Sequence, residues 1–126
     1  MRLLLDSNAL HHFVAEPERL KSAVVAAIAD AASEVFYSAV NLWELGIKRA
    51  KGRLAFDDEA VLRTLAEQRF RELPVTTRHG LEAAALPPHH ADPFDRVLIA
   101  QARLEGLTLV TSDRQFWSYR VLLMEA

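Results

Sequence analysis

Short apolar runs alternate with longer stretches of helical period along the chain. "RLLL" at 2–5, "EVFYS" at 34–38 and "LTLVT" at 107–111 are apolar without strict alternation, and each is bounded by polar or turn-forming residues. Runs of that kind predict strands buried on both faces. "RELPV" at 71–75 predicts a weaker strand, with Pro74 placing it at an edge or a strand end. "YRVLLM" at 119–124 predicts the last one. Between them the period changes to that of helices. Helices are predicted from about Ala9 to the break at Pro17, over 17–32, over 39–52, over 56–70 with Asp57 as N-cap, and over 77–86. "PPHHA" at 87–91 predicts a loop.

"DPFDRVLIAQARLEG" is the clearest helix. Asp92 caps it, Pro93 takes the first helical position and Gly106 closes it. Strands alternating with helices predict an α/β protein with a mainly parallel sheet of four or five strands. In such sheets, sites form beyond the carboxyl ends of the strands. Asp6 and Asp113 both follow such ends.

A length of 126 residues predicts a single domain spanning 1–126. A net charge of −2 gives no global basic signal, so a local basic patch is the form any nucleic-acid surface must take. The absence of cysteine excludes disulfides, thiolate catalysis and cysteine-type zinc sites. Asp6 interrupts the first apolar run too early for a signal peptide, and no run approaches bilayer length. A soluble, cytoplasmic protein without a membrane partner is expected.

Four carboxylates stand out. Asp6 and Asp113 end strands, and helix capping is the competing reading of each. Asp95 shares a helical face with Leu98, Ile99 and Ala102, which turns it inward despite the favourable dipole at that helix end. Glu44 shares its side of a helix with Val40, Trp43 and Ile47, against a plain i,i+4 pair with Lys48. Inward carboxylates gathered at strand ends repel one another unless protonated or neutralised by a cation. Oxygen donors without cysteine suit hard ions, Mg²⁺ first and Mn²⁺ as the alternative.

"LLLDSNAL", "SAVNLWELGIK" and "LPPHHADPFDRVLIAQARLEGLTLVTSD", in that order, resemble the PIN-domain ribonucleases, and among them the VapC-like toxins of type II toxin–antitoxin systems. The resemblance covers essentially the whole chain. It implies a three-layer α/β/α sandwich and Mg²⁺- or Mn²⁺-dependent endonucleolytic cleavage of RNA, leaving a 5′-phosphate and a 3′-hydroxyl. Its acidic site maps onto Asp6, Glu44, Asp95 and Asp113. Asp6, Asp95 and Asp113 would hold the cation, and Glu44 would bind it or position and deprotonate the water. Ser7, Asn8, Asp92 and Thr111 fall at supporting positions. A structured RNA such as tRNA, a small cognate antitoxin and a second copy of the chain are the implied partners.

Lys48, Arg49, Lys51 and Arg53, together with Arg96 and Arg114 beside the proposed acids, are candidates for RNA backbone contact. A solvated helix end and structural ion pairs are the competing readings. His89 and His90 are expected on a surface loop, because adjacent histidines lack metal-ligand spacing, with RNA contact as the alternative. His11 and His12 lie near the Asp6 end and are expected outside the site, with lining of the groove as the alternative. Trp43, Phe94, Phe116 and Trp117 are expected in the core, with an interface as the alternative.

Three other functions compete. A phosphotransferase of the haloacid-dehalogenase type wants an acid two residues after Asp6, where Asn8 stands. A phosphoacceptor receiver wants an acidic pair at the first strand and a lysine after a later one, and the chain has neither arrangement. A non-catalytic PIN-like module that binds RNA or protein needs no acids, whereas all four positions are filled.

Overall fold

The computed structural model describes residues 1–126. Five strands, β1 (Arg2–Leu5), β2 (Glu34–Ser38), β3 (Arg71–Leu73), β4 (Thr108–Thr111) and β5 (Leu123–Glu125), form one sheet in the order β3-β2-β1-β4-β5. Every neighbouring pair is parallel; Leu4 of the central strand pairs with Phe36 on one side and Leu109 on the other. Six helices accompany the strands: α1 (Ser7–Ala15), α2 (Ser22–Ala29), α3 (Ala39–Ala50), α4 (Asp58–Glu67), α5 (Thr77–Ala85) and α6 (Pro93–Glu105).

The three leucines of β1 explain the layering. All are fully buried, and successive side chains of a strand point to opposite faces. Leu3 and Leu5 enter one core with Leu10, Val24, Ile28 and Leu65, from α1, α2 and α4. Leu4 enters the other with Leu98, Ile99 and Ala102, from α6. Helix α3 spans the two, Leu45 packing into the first core and Val40 into the second. The result is the expected α/β/α sandwich.

The chain runs outward from β1 through β2 to β3, then returns to place β4 on the other side of β1. The switch point therefore lies between β1 and β4, whose carboxyl ends lead into Asp6 and Asp113. The Asp6 amide donates to the Val110 carbonyl at 3.0 Å and so continues the ladder to the very edge of that crevice.

Three expectations are corrected. The helix expected over 17–32 is divided into a 3₁₀ turn at Pro17–Arg19 and α2. "PERLK" offers one apolar side chain, too few to bury a helical face, and the backbone extends at Leu20 (φ −88°, ψ 147°) so that this leucine reaches the core. The far end stops at Ala29, where the Asp30 carboxylate accepts from the Ala32 amide at 2.9 Å and holds a turn instead. The last strand is shorter than 119–124 because Tyr119 is buried and its hydroxyl is tied to the loop before α6. Of the four aromatics expected in the core, Phe116 is fully buried and Phe94 partly so, but Trp43 is 64% and Trp117 42% exposed. Trp43 instead meets Phe94 edge-on, with ring centroids 5.0 Å apart.

Candidate active site

A cleft of about 290 Å³ opens at the switch point, and no apolar side chain lines it. Each of its acids is delivered by a different piece of local structure. Asp6 is the N-cap of α1, with Oδ1 accepting from the Ala9 amide at 2.7 Å. Its capping role and its place in the cleft therefore coincide. Asp113 caps a 3₁₀ turn at Arg114–Ser118 by accepting from Gln115 N at 2.9 Å, and its own amide donates to Thr111 Oγ1 at 3.0 Å. Asp95 lies in the first turn of α6, its side chain 15% exposed. Asp92 also lines the cleft, but its Oδ1 accepts from the Phe94 and Asp95 amides as the helix cap.

Glu44 is held by a buried relay. Ser7 Oγ donates to Glu44 Oε1 at 2.6 Å, and Asn41 Nδ2 donates to Ser7 Oγ at 3.0 Å. Asn41 Oδ1 in turn accepts from the Ser38 amide at 2.6 Å, which closes the capping box of α3. Both competing readings of Glu44 hold at once, since Lys48 Nζ stands 3.5 Å from Oε2 while the carboxylate is nearly buried.

The electrostatics follow from this crowding. Burial pushes the Asp95 carboxyl up to about 8, with the neighbouring charges of Asp92, Glu44, Asp6 and Asp113 adding to the rise. Burial also raises Asp6 to about 6, partly offset by hydrogen bonds from Thr111 and Ala9. Burial and crowding by like charges thus favour the protonated form of Asp95 near neutrality until a positive charge compensates it. The ligand atoms within 4.8 Å of one another are those of His90, Asp95 and Asp113, and Asp6 and Glu44 line the same cleft, a set rich in oxygen donors that fits a divalent cation.

Three residues of the site escape sequence reasoning, His90, Asn41 and the cleft-lining Gln115, and others fall elsewhere than expected. His90, expected on a surface loop, is 7% exposed and lines the cleft; its Nε2 stands 2.9 Å from Asp95 Oδ2 and 3.2 Å from Asp113 Oδ2. Its neighbour His89 is exposed, as expected. Asn41 is the second, although its position three residues after Ser38 is a capping-box spacing that signals it. Arg96 does not face a substrate. Its guanidinium donates to the carbonyls of Ala83, Leu86, Pro87 and His90 at 2.8–3.2 Å, and so ties the α5–α6 loop to α6. Arg49 pairs with Asp58 and lies over the Phe56 ring. Lys48, Lys51 and Arg53 line an open groove that meets the acidic cleft at Glu44 and Asp92. Asn8 and Arg114 are exposed, and His11 and His12 lie outside the cleft.

The parallel sheet carries its carboxylates at the switch point, and residues 3–121 match the family model described as PIN domain. The chain belongs to the PIN-domain family. It is similar to Ribonuclease VapC22 of Mycobacterium tuberculosis, 36% identical over 121 residues that cover 94% of this chain and 92% of that protein. Among solved structures it is similar to VapBC2 from Rickettsia felis bound to a DNA fragment from their promoter. The TM-score is 0.74 and the identity 16%, over 99% of this chain and 98% of that one. FitAcB from Neisseria gonorrhoeae matches with a TM-score of 0.64 and 24% identity, over 97% and 96% of the two chains. These structural likenesses concern the fold. No helix is long and apolar enough to cross a membrane.

Proposed function

We propose that this chain is a divalent-cation-dependent endoribonuclease, the toxin of a toxin–antitoxin pair, working as one PIN unit over residues 1–126. The observation that carries the reading is the convergence of Asp6, Glu44, Asp95 and Asp113 on one apolar-free cleft. The 36% identity to a protein named a ribonuclease supports the choice of RNA.

Asp6, Asp95 and Asp113 would hold the cation. Mg²⁺, or Mn²⁺ in its place, supplies neutralisation of phosphate charge and acidification of a water when bound. Glu44 accepts the proton of the attacking water, and its geometry suits the task because Ser7 fixes Oε1 while Lys48 restrains Oε2. Thr111 steadies Asp6 and Asp113 from beneath. Asp92 sets the start of α6 and thereby the height of Asp95. Asn8, exposed at the rim, contacts the RNA strand. Lys48, Lys51 and Arg53 take the backbone phosphates along the open groove, and Arg114, exposed next to Asp113 in the chain, is a further phosphate contact. Arg49 and Arg96 are occupied elsewhere and serve the fold.

Solved relatives titled VapBC support an antitoxin partner, and a homodimer working in the cytoplasm completes the proposal. The test is incubation of purified, antitoxin-free protein with total RNA, in Mg²⁺, Mn²⁺ or EDTA, beside Asp6→Asn. Cleavage that needs the cation and is lost in the variant is expected. Intact RNA after incubation with folded, cation-bound protein contradicts it and favours a non-catalytic binding module.

A further inference from the structure

The loop between α5 and α6 is organised around one residue, His90. Its amide donates to the Tyr119 hydroxyl at 2.8 Å. That hydroxyl donates onward to the Pro87 carbonyl at 2.7 Å. The His90 carbonyl accepts from Arg96, and its ring meets the Phe116 ring edge-on at 5.6 Å and 89°. The backbone of His90 is thereby fixed on both sides, and its ring packs against Phe116.

The two ring nitrogens then have distinct duties. The Asp92 amide donates to Nδ1 at 3.2 Å. An N–H can only donate to a bare nitrogen, so the proton of the neutral ring sits on Nε2. Nε2 hydrogen-bonds Asp113 Oδ2 at 3.2 Å and lies 2.9 Å from Asp95 Oδ2. Asp95 belongs to α6 and Asp113 follows β4, so no shared element holds these two acids together. The imidazole does.

We infer that His90 is a positioning residue of this site, a neutral Nε2–H donor that clasps Asp95 and Asp113 together and orients both for a divalent cation without binding the cation itself. The inference rests on the reading that the cleft holds such a cation. Donors that orient ligating carboxylates this way change metal affinity or activity about 10–100-fold when removed.

Three measurements on the full chain test it. In the metal-free protein, ¹⁵N spectra of the ring are expected to show a protonated Nε2 and a bare Nδ1; the opposite tautomer overturns the inference. In the Mn²⁺-loaded protein, pulsed electron paramagnetic resonance is expected to lack the coupling of a directly bound imidazole nitrogen. Its presence makes His90 a ligand and overturns the clasp. Calorimetric titration with Mn²⁺ then compares two variants with melting controls. His90→Gln keeps an amide donor near the Nε2 position and is expected to keep most of the affinity. His90→Asn reaches only as far as Nδ1 and is expected to lose about 10–100-fold. Equal affinity of His90→Asn and the parent overturns the inference alone, whereas a parent that binds no cation overturns the cation reading together with it. If His90→Asn does not fold, the two spectroscopic results on the parent decide.

Discussion

Ser7 Oγ and Glu44 Oε1 are 2.6 Å apart, a buried hydrogen bond that joins the first turn of α1 to the middle of α3. It couples the two elements that carry Asp6 and Glu44. Ser7→Ala is expected to leave Glu44 and Asn41 each one partner short. Stranding a buried polar group costs about 1–3 kcal/mol, so denaturant unfolding of Ser7→Ala should show a loss in that range, accompanied by lower RNA cleavage. Asn41→Ala breaks the same relay from its other end, together with the α3 capping box, and should lose at least as much. Stability unchanged in both variants contradicts the relay.

Asp6 and Asp95 give the metal-free protein a definite pH dependence. Their carboxyls stand at about 6 and about 8, against 3.8 for an unperturbed aspartate. Between these limits the folded state binds more protons than the unfolded chain, so the contribution of both groups makes stability fall as pH rises. The destabilisation is fully present above about 8 and vanishes below the unfolded value. Melting in EDTA should therefore weaken from pH 5 to pH 8. Mn²⁺ should remove most of that slope, because it favours the ionised forms, and so should Asp95→Asn. Metal-free stability that rises across this interval contradicts the assignment.

Arg96 and Lys51 are expected to fail in different ways. Arg96→Lys cannot reproduce a planar fork that reaches four carbonyls, one exposed and three part-buried, and each hydrogen bond lost is worth about 1 kcal/mol. A markedly lower melting temperature is expected. Lys51→Ala and Arg53→Ala, both exposed, should leave melting unchanged and weaken RNA binding. Removing one phosphate-binding cation should lower the salt dependence of binding by about one ion-equivalent, as read from log affinity against log salt concentration. Equal melting of Arg96→Lys and the parent contradicts its structural role.

The parts of the fold that depend on local signals were legible in the sequence. The apolar strands, the α6 caps at Asp92 and Gly106, and the inward turn of Asp95 each follow from neighbouring residues. Gly106 adopts the left-handed conformation (φ 67°) that a helix-closing glycine provides. The four acids could be chosen because three of them end strands or start helices, where a parallel sheet exposes its crevice. His90 and Arg96 were not legible, because their partners lie at Tyr119, Asp113 and Ala83, well away along the chain. A histidine in "PPHHA" carries no local sign that a distant tyrosine and phenylalanine will enclose it. Trp43 shows the converse: helical period placed it with apolar neighbours, yet α3 lies at the rim, where one face of the helix has no layer above it.

The most direct measurement of the central claim is the chemistry of the RNA ends after cleavage by the cation-loaded protein. Attack by an external water, with Glu44 as proton acceptor and the aspartates holding the cation, predicts a 5′-phosphate and a 3′-hydroxyl at every cut, abolished in EDTA. A 5′-hydroxyl paired with a 2′,3′-cyclic phosphate, formed equally well in EDTA, would mean that the ribose hydroxyl is the nucleophile and would contradict the account.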